Sequence, residues 1–325
     1  MGFLTVATGR LSQAALLLFL MSLIAFLGIH SVGNPVYNIL DLETASADDI
    51  RRATIALGLD LPIWRQYLLF AKSVVTGSFG TSYIYHVPAF GLVLSKLPAT
   101  LELAAIAMLI AAPLGVLLGL LAGRMQGSVF DSSVLKTSVF ALSIPSFWLS
   151  MVLILVGAIV VSWFPSGGRG ATAGLLGLQW SFLTADGLRH IVLPALALAI
   201  PNIALIARLS RSGTIEVESL DFTRFCQAKG LSPRRVLFRH TLPNISVPVV
   251  TIIGLQFGGM LAFAVVVETI FAWPGVGKLL IDSIQLLDRP VVMATLTFVS
   301  VAFVVLNILV DLFHAVLDPR VRRSS

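Results

Sequence analysis

The chain has 325 residues, of which 57% are hydrophobic and 12% charged, and its mean hydropathy is +0.95. Several apolar runs exceed the ~20 residues that cross ~30 Å of hydrocarbon, which excludes a soluble core and predicts an all-α polytopic membrane protein. The net charge of +6 lies in loops beside the spans, so topology explains it better than nucleic-acid binding, and a single cysteine, Cys226, excludes a disulfide framework.

Residues 11–29 read as the first span, preceded by Arg10. A secretory signal peptide is the competing reading. The apolar run is long for one and no small-x-small site follows Ile29, so an uncleaved helix with a cytoplasmic N-terminus is expected. The segment 30–98 is polar enough to lie outside the membrane. Within it, Ser46 is the expected N-cap of a helix that ends at Gly58, with Asp48 and Asp49 in its first turn. A second amphipathic piece, Pro62 to Thr76, carries Trp64, Tyr67 and Phe70, suited to an interface.

The second span is predicted to start at Pro98 and run to about Gly123, with Glu102 in its first turn complementing the helix dipole. Gly115, Gly119 and Gly123 recur every four residues and predict a close-packing face. Residues 134–164 form a long third span broken near Pro145. A Gly-rich outer loop, 165–188, leads to a fourth span, about 190–209, with Pro194 and Pro201. A fifth, about 248–272, carries Gln256. A sixth, 291–316, precedes a basic tail, 318–325. Residues 99–317 thus make a core of five spans.

Between the fourth and fifth spans, a loop over 209–247 holds most of a block of seven Lys and Arg residues that begins at Arg208. Asp221 to Ala228 reads as a short helix stopped at Lys229-Gly230. Ser232-Pro233 then starts a second short run that ends before Leu242-Pro243. Two short helices in a basic loop make a docking surface for a soluble partner. With both termini cytoplasmic, thirteen Lys and Arg fall inside and four in the short outer loops, as the positive-inside rule requires.

No motif supports an enzyme. Gly275-Val276-Gly277-Lys278 has a P-loop flavour, but Ala272 replaces the first glycine and Leu279 the magnesium-holding Ser/Thr. The five histidines are scattered, and no metal or other cofactor site is expected in this chain. Polar residues inside spans are costly and usually face the bundle interior. Asn202, Gln256 and Asn307 are therefore candidate pathway residues, with helix–helix hydrogen bonds as the competing role. Glu268 is a candidate outer-gate residue or a partner of Lys278 or Arg289. Asp311 is expected to pair with Arg208 or Arg211.

The loop resembles the one found in membrane subunits of ABC importers: Glu-Ala-Ala, three residues, Gly, nine residues, Ile, any residue, Leu-Pro. Gly230 is followed by nine residues, then His240, Thr241, Leu242 and Pro243, while Arg224-Phe225-Cys226 stands in place of Glu-Ala-Ala. The stretches LGLDLPIWRQY, GSFGTSY, LPATLELA, SIPSFW, DFTRFCQAKGLSPRRVLFRHTLPN, VVVETIFAWPGVGKLL and DPRVR are similar to the dipeptide/oligopeptide/nickel branch of these permeases, in its order. The resemblance implies a type I importer permease fold with six transmembrane helices and an extracytoplasmic segment between the first two. It further implies a second homologous permease, usually as a heterodimer, one or two cytoplasmic ATPase subunits that hold ATP and magnesium, an external substrate-binding protein, and contact with membrane lipids. Arg224, Phe225, Cys226, Ala228, Lys229, Gly230, Leu231, Leu242 and Pro243 are the residues it assigns to ATPase coupling. A stand-alone channel or passive carrier is the alternative, disfavoured because such a pore needs no docking loop.

Overall fold

The computed structural model describes residues 45–317 and, ahead of them, residues 16, 19–24, 26–28 and 36; the side chains of 224, 227, 262, 263 and 306–317 lie outside what is described. Most of the N-terminal segment 1–29 and the tail 318–325 fall outside the described residues too. The elements in chain order are α1 (Ala47–Ala56), α2 (Ile63–Thr76), α3 (Ala89–Arg124), α4 (Val129–Ser143), α5 (Ser146–Leu153) with a π-helical continuation over Ile154–Val160, β1 (Ala173–Leu175), β2 (Leu178–Trp180), α6 (Ala185–Ser219), α7 (Asp221–Ala228), α8 (Pro233–Val236) with a π-helical turn over Leu237–Thr241, α9 (Leu242–Ile270), α10 (Val276–Gln285) and α11 (Arg289–Leu317). The architecture is that of an all-α membrane protein. Among the described residues, α3, α6 and the stretch Pro233–Leu261 are each long and apolar enough to span a membrane, and α4 with α5 makes a fourth, broken candidate.

Two compact units are built from these elements: the chain up to Pro98 with Pro274–Leu306, and Ala99–Trp273 with the end of the last helix. In the first, Ser46 caps α1 as expected, and Asp49 returns the bond to form a capping box. The Ser46 hydroxyl and backbone N–H both donate to Asp49 Oδ2, at 2.6 and 3.1 Å, which holds that carboxyl below its ordinary range. A folded value below the unfolded one means a contribution present above the unfolded pKa and lost as pH falls through the folded one. Ser46→Ala is therefore expected to raise the Asp49 pKa towards the ordinary carboxylate range, read by carboxyl-carbon NMR titration; an unmoved midpoint would remove the cap from the account.

Helix α2 ends at Gly77, whose φ of +66° closes it in the left-handed conformation. Tyr67 and Phe70, expected at an interface, instead turn inward. Tyr67 lies edge-on to Phe26 at 5.4 Å with its hydroxyl 3.0 Å from Ser22 Oγ, and Phe70 stacks on Phe26 at 5.9 Å. The helical period places Trp64, Leu68 and Val75 on another side, where they are exposed. Val276 and Leu279 of α10 pack with Val291 and Ala294 of α11 and with Ala89 and Val93 of α3.

That packing explains why the helix that carries the second span begins at Ala89, ahead of Pro98. Buried residues one turn apart carry the helix through an interior proline that on its own favours a break. Glu102 is consequently not in a first turn but about three and a half turns in, and the dipole role expected for it is withdrawn.

In the second unit, the predicted glycine face is present. A Cβ on Gly115 would sit 2.7 Å from Ile206 Cβ, and one on Gly123 2.6 Å from Thr214 Cβ, so α3 and α6 approach backbone to backbone. The third span is more than kinked: Ile144 and Pro145 are extended, and the arms on either side meet at 103°. Proline forces its predecessor out of the helical region, and two such residues turn the chain. The Gly-rich loop over 165–188 folds into an unforeseen hairpin, β1 against β2, turning at Leu176-Gly177, both at positive φ. Helix α6 starts five residues before the expected position, capped by Thr184, and continues to Ser219. The loop expected over 209–247 shrinks accordingly to the ends of α6 and α9 with α7 and α8 between them.

Candidate functional site

The basic segment leaves α6 at Leu220, which is extended and so starts a new helix at an angle rather than prolonging the old one. Thr223 fastens α7 in place: it is fully buried, its hydroxyl donates to Val217 O at 2.8 Å, and its N–H to Leu220 O at 3.0 Å. At the far end Gly230 takes φ +79°, and the Leu231 N–H reaches back to Cys226 O at 3.3 Å, the 6→1 bond of a Schellman motif. Ser232 caps α8 and Pro233 occupies its first turn, as the sequence predicts.

The second short helix does not stop before Leu242-Pro243. It runs through the π-helical turn straight into α9, because Val236, Leu237, Thr241 and Ile245 are all buried and hold one helical path. Leu242 is half-buried and Pro243 exposed.

Of the residues assigned to coupling, Phe225, Ala228, Lys229 and Gly230 come together on the exposed end of α7. Phe225 is 59% exposed and the Lys229 ammonium lies 4.5 Å from the centre of its ring, a cation–π contact. Cys226 and Leu231 are half-buried beneath them. The Arg224 side chain lies outside the described residues. Phe238, 50% exposed, with Arg234, Arg235 and Arg239, extends the same segment. Several aromatic rings left in the open among guanidinium groups are a surface in want of a partner.

The proposed pathway residues are not gathered in this way. Asn202 donates its amide to Leu198 O at 2.8 Å, one turn back on its own helix, so neither a pathway role nor a helix–helix bond is needed to satisfy it. Gln256 is half-buried on α9. Glu268 is fully buried and accepts from Thr100 Oγ1 at 2.6 Å. The Asn307 and Asp311 side chains are outside the described residues. Arg211, expected to neutralise Asp311, forms a bidentate pair with buried Asp131 of α4, while Arg124 meets Glu218 at 2.9 Å.

Sequence reasoning missed a densely bonded ionic group in the second unit. Glu102 Oε2 accepts from Arg169 Nε and Nη2 at 3.0 and 2.5 Å, and Oε1 from the Ser181 N–H, the Ser181 hydroxyl and the Phe182 N–H at 2.6, 2.9 and 3.0 Å. The available signal was a carboxylate inside an apolar span, which requires a partner. A lone arginine in a Gly-rich loop could not be matched to it by spacing.

Residues 115–323 match the family described as the inner membrane component of binding-protein-dependent transport systems. The chain is 37% identical to the di/tripeptide transport system permease protein DppB of Pseudomonas aeruginosa, over 94% of this chain and 95% of that one. It is 35% identical to the dipeptide transport system permease protein DppB of Escherichia coli over the same shares. It is 36% identical to the oligopeptide transport system permease protein AppB of Bacillus subtilis, over 89% and 90%. A family match over more than half the chain, and near-complete alignment to three permeases, agree with the helical membrane fold and its exposed basic loop. The chain belongs to the family of binding-protein-dependent transport inner membrane components and is a multi-pass permease subunit of an ABC importer.

Proposed function

We propose that this subunit forms half of the pathway through which an ATP-driven importer takes up di- and oligopeptides. Relatives aligned over nearly their whole length carry peptide transport in their names, and that is the ground for the cargo. The single observation carrying the coupling mechanism is the short helix α7, tied to α6 by Thr223 and ending in an exposed aromatic and basic turn at Phe225–Gly230. A cytoplasmic ATPase subunit receives this end in a cleft. Closure of two ATPase subunits on ATP pulls α7, and α6 and α9 follow because their ends frame it.

The rest of the assembly follows from the same reading. A second permease, in a heterodimer, supplies the other half of the pathway. An external binding protein delivers the peptide, and ATP and magnesium stay on the ATPases. Six spans, over 11–29, α3 from about Pro98, α4 with α5, α6, α9 and α11, put both termini in the cytoplasm and residues 30–98 outside. The charge balance of thirteen basic residues to four supports that orientation.

Gly230 offers the test. A Cβ there meets open space within this chain, so inside the subunit a side chain acts only through φ +79°. Valine in the left-handed region costs about 1–2 kcal/mol and distorts the end of α7, whereas asparagine tolerates that conformation. Gly230→Val is expected to abolish peptide uptake and binding-protein-stimulated ATP hydrolysis with unchanged membrane levels, and Gly230→Asn to retain much of both. Normal uptake by the valine variant would end the coupling proposal.

A further inference from the structure

Away from the coupling loop, α2 carries a face that the subunit leaves uncovered. At about 100° per residue, Trp64, Leu68 and Val75 fall within about 40° of one another around the helix. They are 59, 57 and 87% exposed. Exposed Arg65 and Lys72 border this stripe on one side, and Tyr67 and Phe70, which hold Phe26, border it on the other. Opposite the stripe, the polar side chains are committed within the protein. Gln66 gives its amide hydrogens to the carbonyls of Leu59 and Leu61, and Ser73 its hydroxyl to that of Phe70. What remains open is an apolar stripe with two cations along one edge.

Length and depth say what covers it. The fourteen residues of α2 rise ~21 Å, short of the ~30 Å of a span. The Tyr67 hydroxyl lies 3.0 Å from Ser22 Oγ, and the Tyr67 and Phe70 rings meet Phe26. Ser22 and Phe26 precede Ile29, the end of the predicted first span, by ~10 and ~5 Å of helix. An interfacial helix buries its apolar face ~5–10 Å into the boundary between headgroups and acyl chains, which is the same depth. Met21 and Ile24 of the first helix, at that level, are exposed and apolar as well.

Charge then selects the lipid. Helix α2 has no acidic residue, and among the described residues neither Arg65 nor Lys72 forms an ion pair; the Arg65 guanidinium lies 5.1 Å from the centre of the Trp64 ring. Lysine is depleted at contacts between proteins, whereas cations and a tryptophan beside an apolar stripe suit a membrane surface. We propose that α2 lies in the plane of the leaflet that residues 30–98 face. Trp64, Leu68 and Val75 sit among the acyl chains, and Arg65 and Lys72 sit on the phosphates of anionic phospholipid. Through the stack of Phe70 on Phe26, the helix then sets the depth of the first span. The inference needs neither the peptide cargo nor the ATPase coupling, and takes only its choice of leaflet from the orientation proposed above.

The assembled importer in nanodiscs tests this with phosphatidylglycerol and phosphatidylcholine carrying a diazirine either next to the glycerol or at the acyl terminus. Cross-links mapped by mass spectrometry are expected over residues 63–76. The shallow probe should label them roughly threefold or more above the deep one. Phosphatidylglycerol should label them about fivefold or more above phosphatidylcholine at equal content, and Arg65→Gln with Lys72→Gln should bring the two headgroups level. The depth and headgroup comparisons use the unaltered protein, so a poorly folded variant cannot decide the outcome. Labelling elsewhere on the subunit but not over 63–76 would overturn the inference, and a protein cross-link from α2 to a second chain would then give the face to that partner. Stronger labelling by the deep probe would overturn it by placing α2 inside the hydrocarbon. Equal labelling by both headgroups in the unaltered protein would overturn it by leaving the cations without a lipid phosphate.

Discussion

Arg169→Ala is expected to cost about 3–5 kcal/mol of stability, because it strands the Glu102 carboxylate in the interior without its counter-charge. The Glu102 side chain has no exposed surface and that of Arg169 only 15%. Three donors from Ser181 and Phe182 remain on Glu102 Oε1 in the variant, but they are neutral dipoles that cannot replace a bidentate guanidinium. Arg169 Nη2 also donates to Gln179 O at 2.6 Å, and its guanidinium carbon lies 5.8 Å from the Trp273 ring centre, so the β1–β2 hairpin and the end of α9 lose an anchor together. The Trp273 indole N–H, bonded to Ala99 O at 2.9 Å, keeps that end of α3 partly tied. The measurement is thermal unfolding of the purified subunit in mild detergent. Replacing the pair together, Glu102→Gln with Arg169→Met, should recover most of the loss, since a buried pair exchanged for a weakly polar one is often close to neutral. A single variant that melts with the wild type would show the carboxylate to be hydrated.

The contrast between this group and the coupling loop shows what was legible. Ser46, Gly58, Gly230 and Ser232 act within four or five residues of their own position, and a local signal can be read locally. The glycine repeat at 115, 119 and 123 was legible for the same reason, since it names one face of one helix. Helix limits were less so. Pro98 and Pro243 looked like boundaries because an isolated helix would stop there, but Ala89 and Val93, and Val236 and Ile245, bury apolar surface that carries the helix across. Pro145 did break its helix, with Ile144 and Pro145 both extended. Charge pairs were the least legible. Glu102 and Arg169 are 67 residues apart, and Asp131 and Arg211 are 80, so their meeting depends on how distant parts of the chain pack and not on spacing. The same limit applies to Asn202, whose amide bonds its own helix.

Gly119→Val is expected to prevent recovery of folded subunit, because its side chain would enter the backbone of α6. A Cβ at this position runs into Ala207 O and comes within 2.5 Å of Ser210 Cβ and 2.9 Å of the Arg211 N–H nitrogen. A flexible side chain can swing aside, but a helix backbone can only retreat along its whole length. Retreat would open Gly115 from Ile206 and Gly123 from Thr214, and would pull Arg211 from Asp131 and Arg124 from Glu218 at the same crossing. Overpacking a close-fitting core costs about 1–3 kcal/mol even where side chains absorb it, and in a membrane the helices have little hydrophobic drive to compensate, since lipid is as apolar as the interface. Gly91→Ala is the matched control on the same helix. Its nearest foreign atom is Pro88 Cβ at 4.0 Å, so alanine there should be neutral or stabilise by up to ~1 kcal/mol. Size-exclusion recovery in mild detergent and the melting temperature of what is recovered distinguish the two. Equal recovery and melting of both variants would mean that α3 and α6 do not cross at this glycine face.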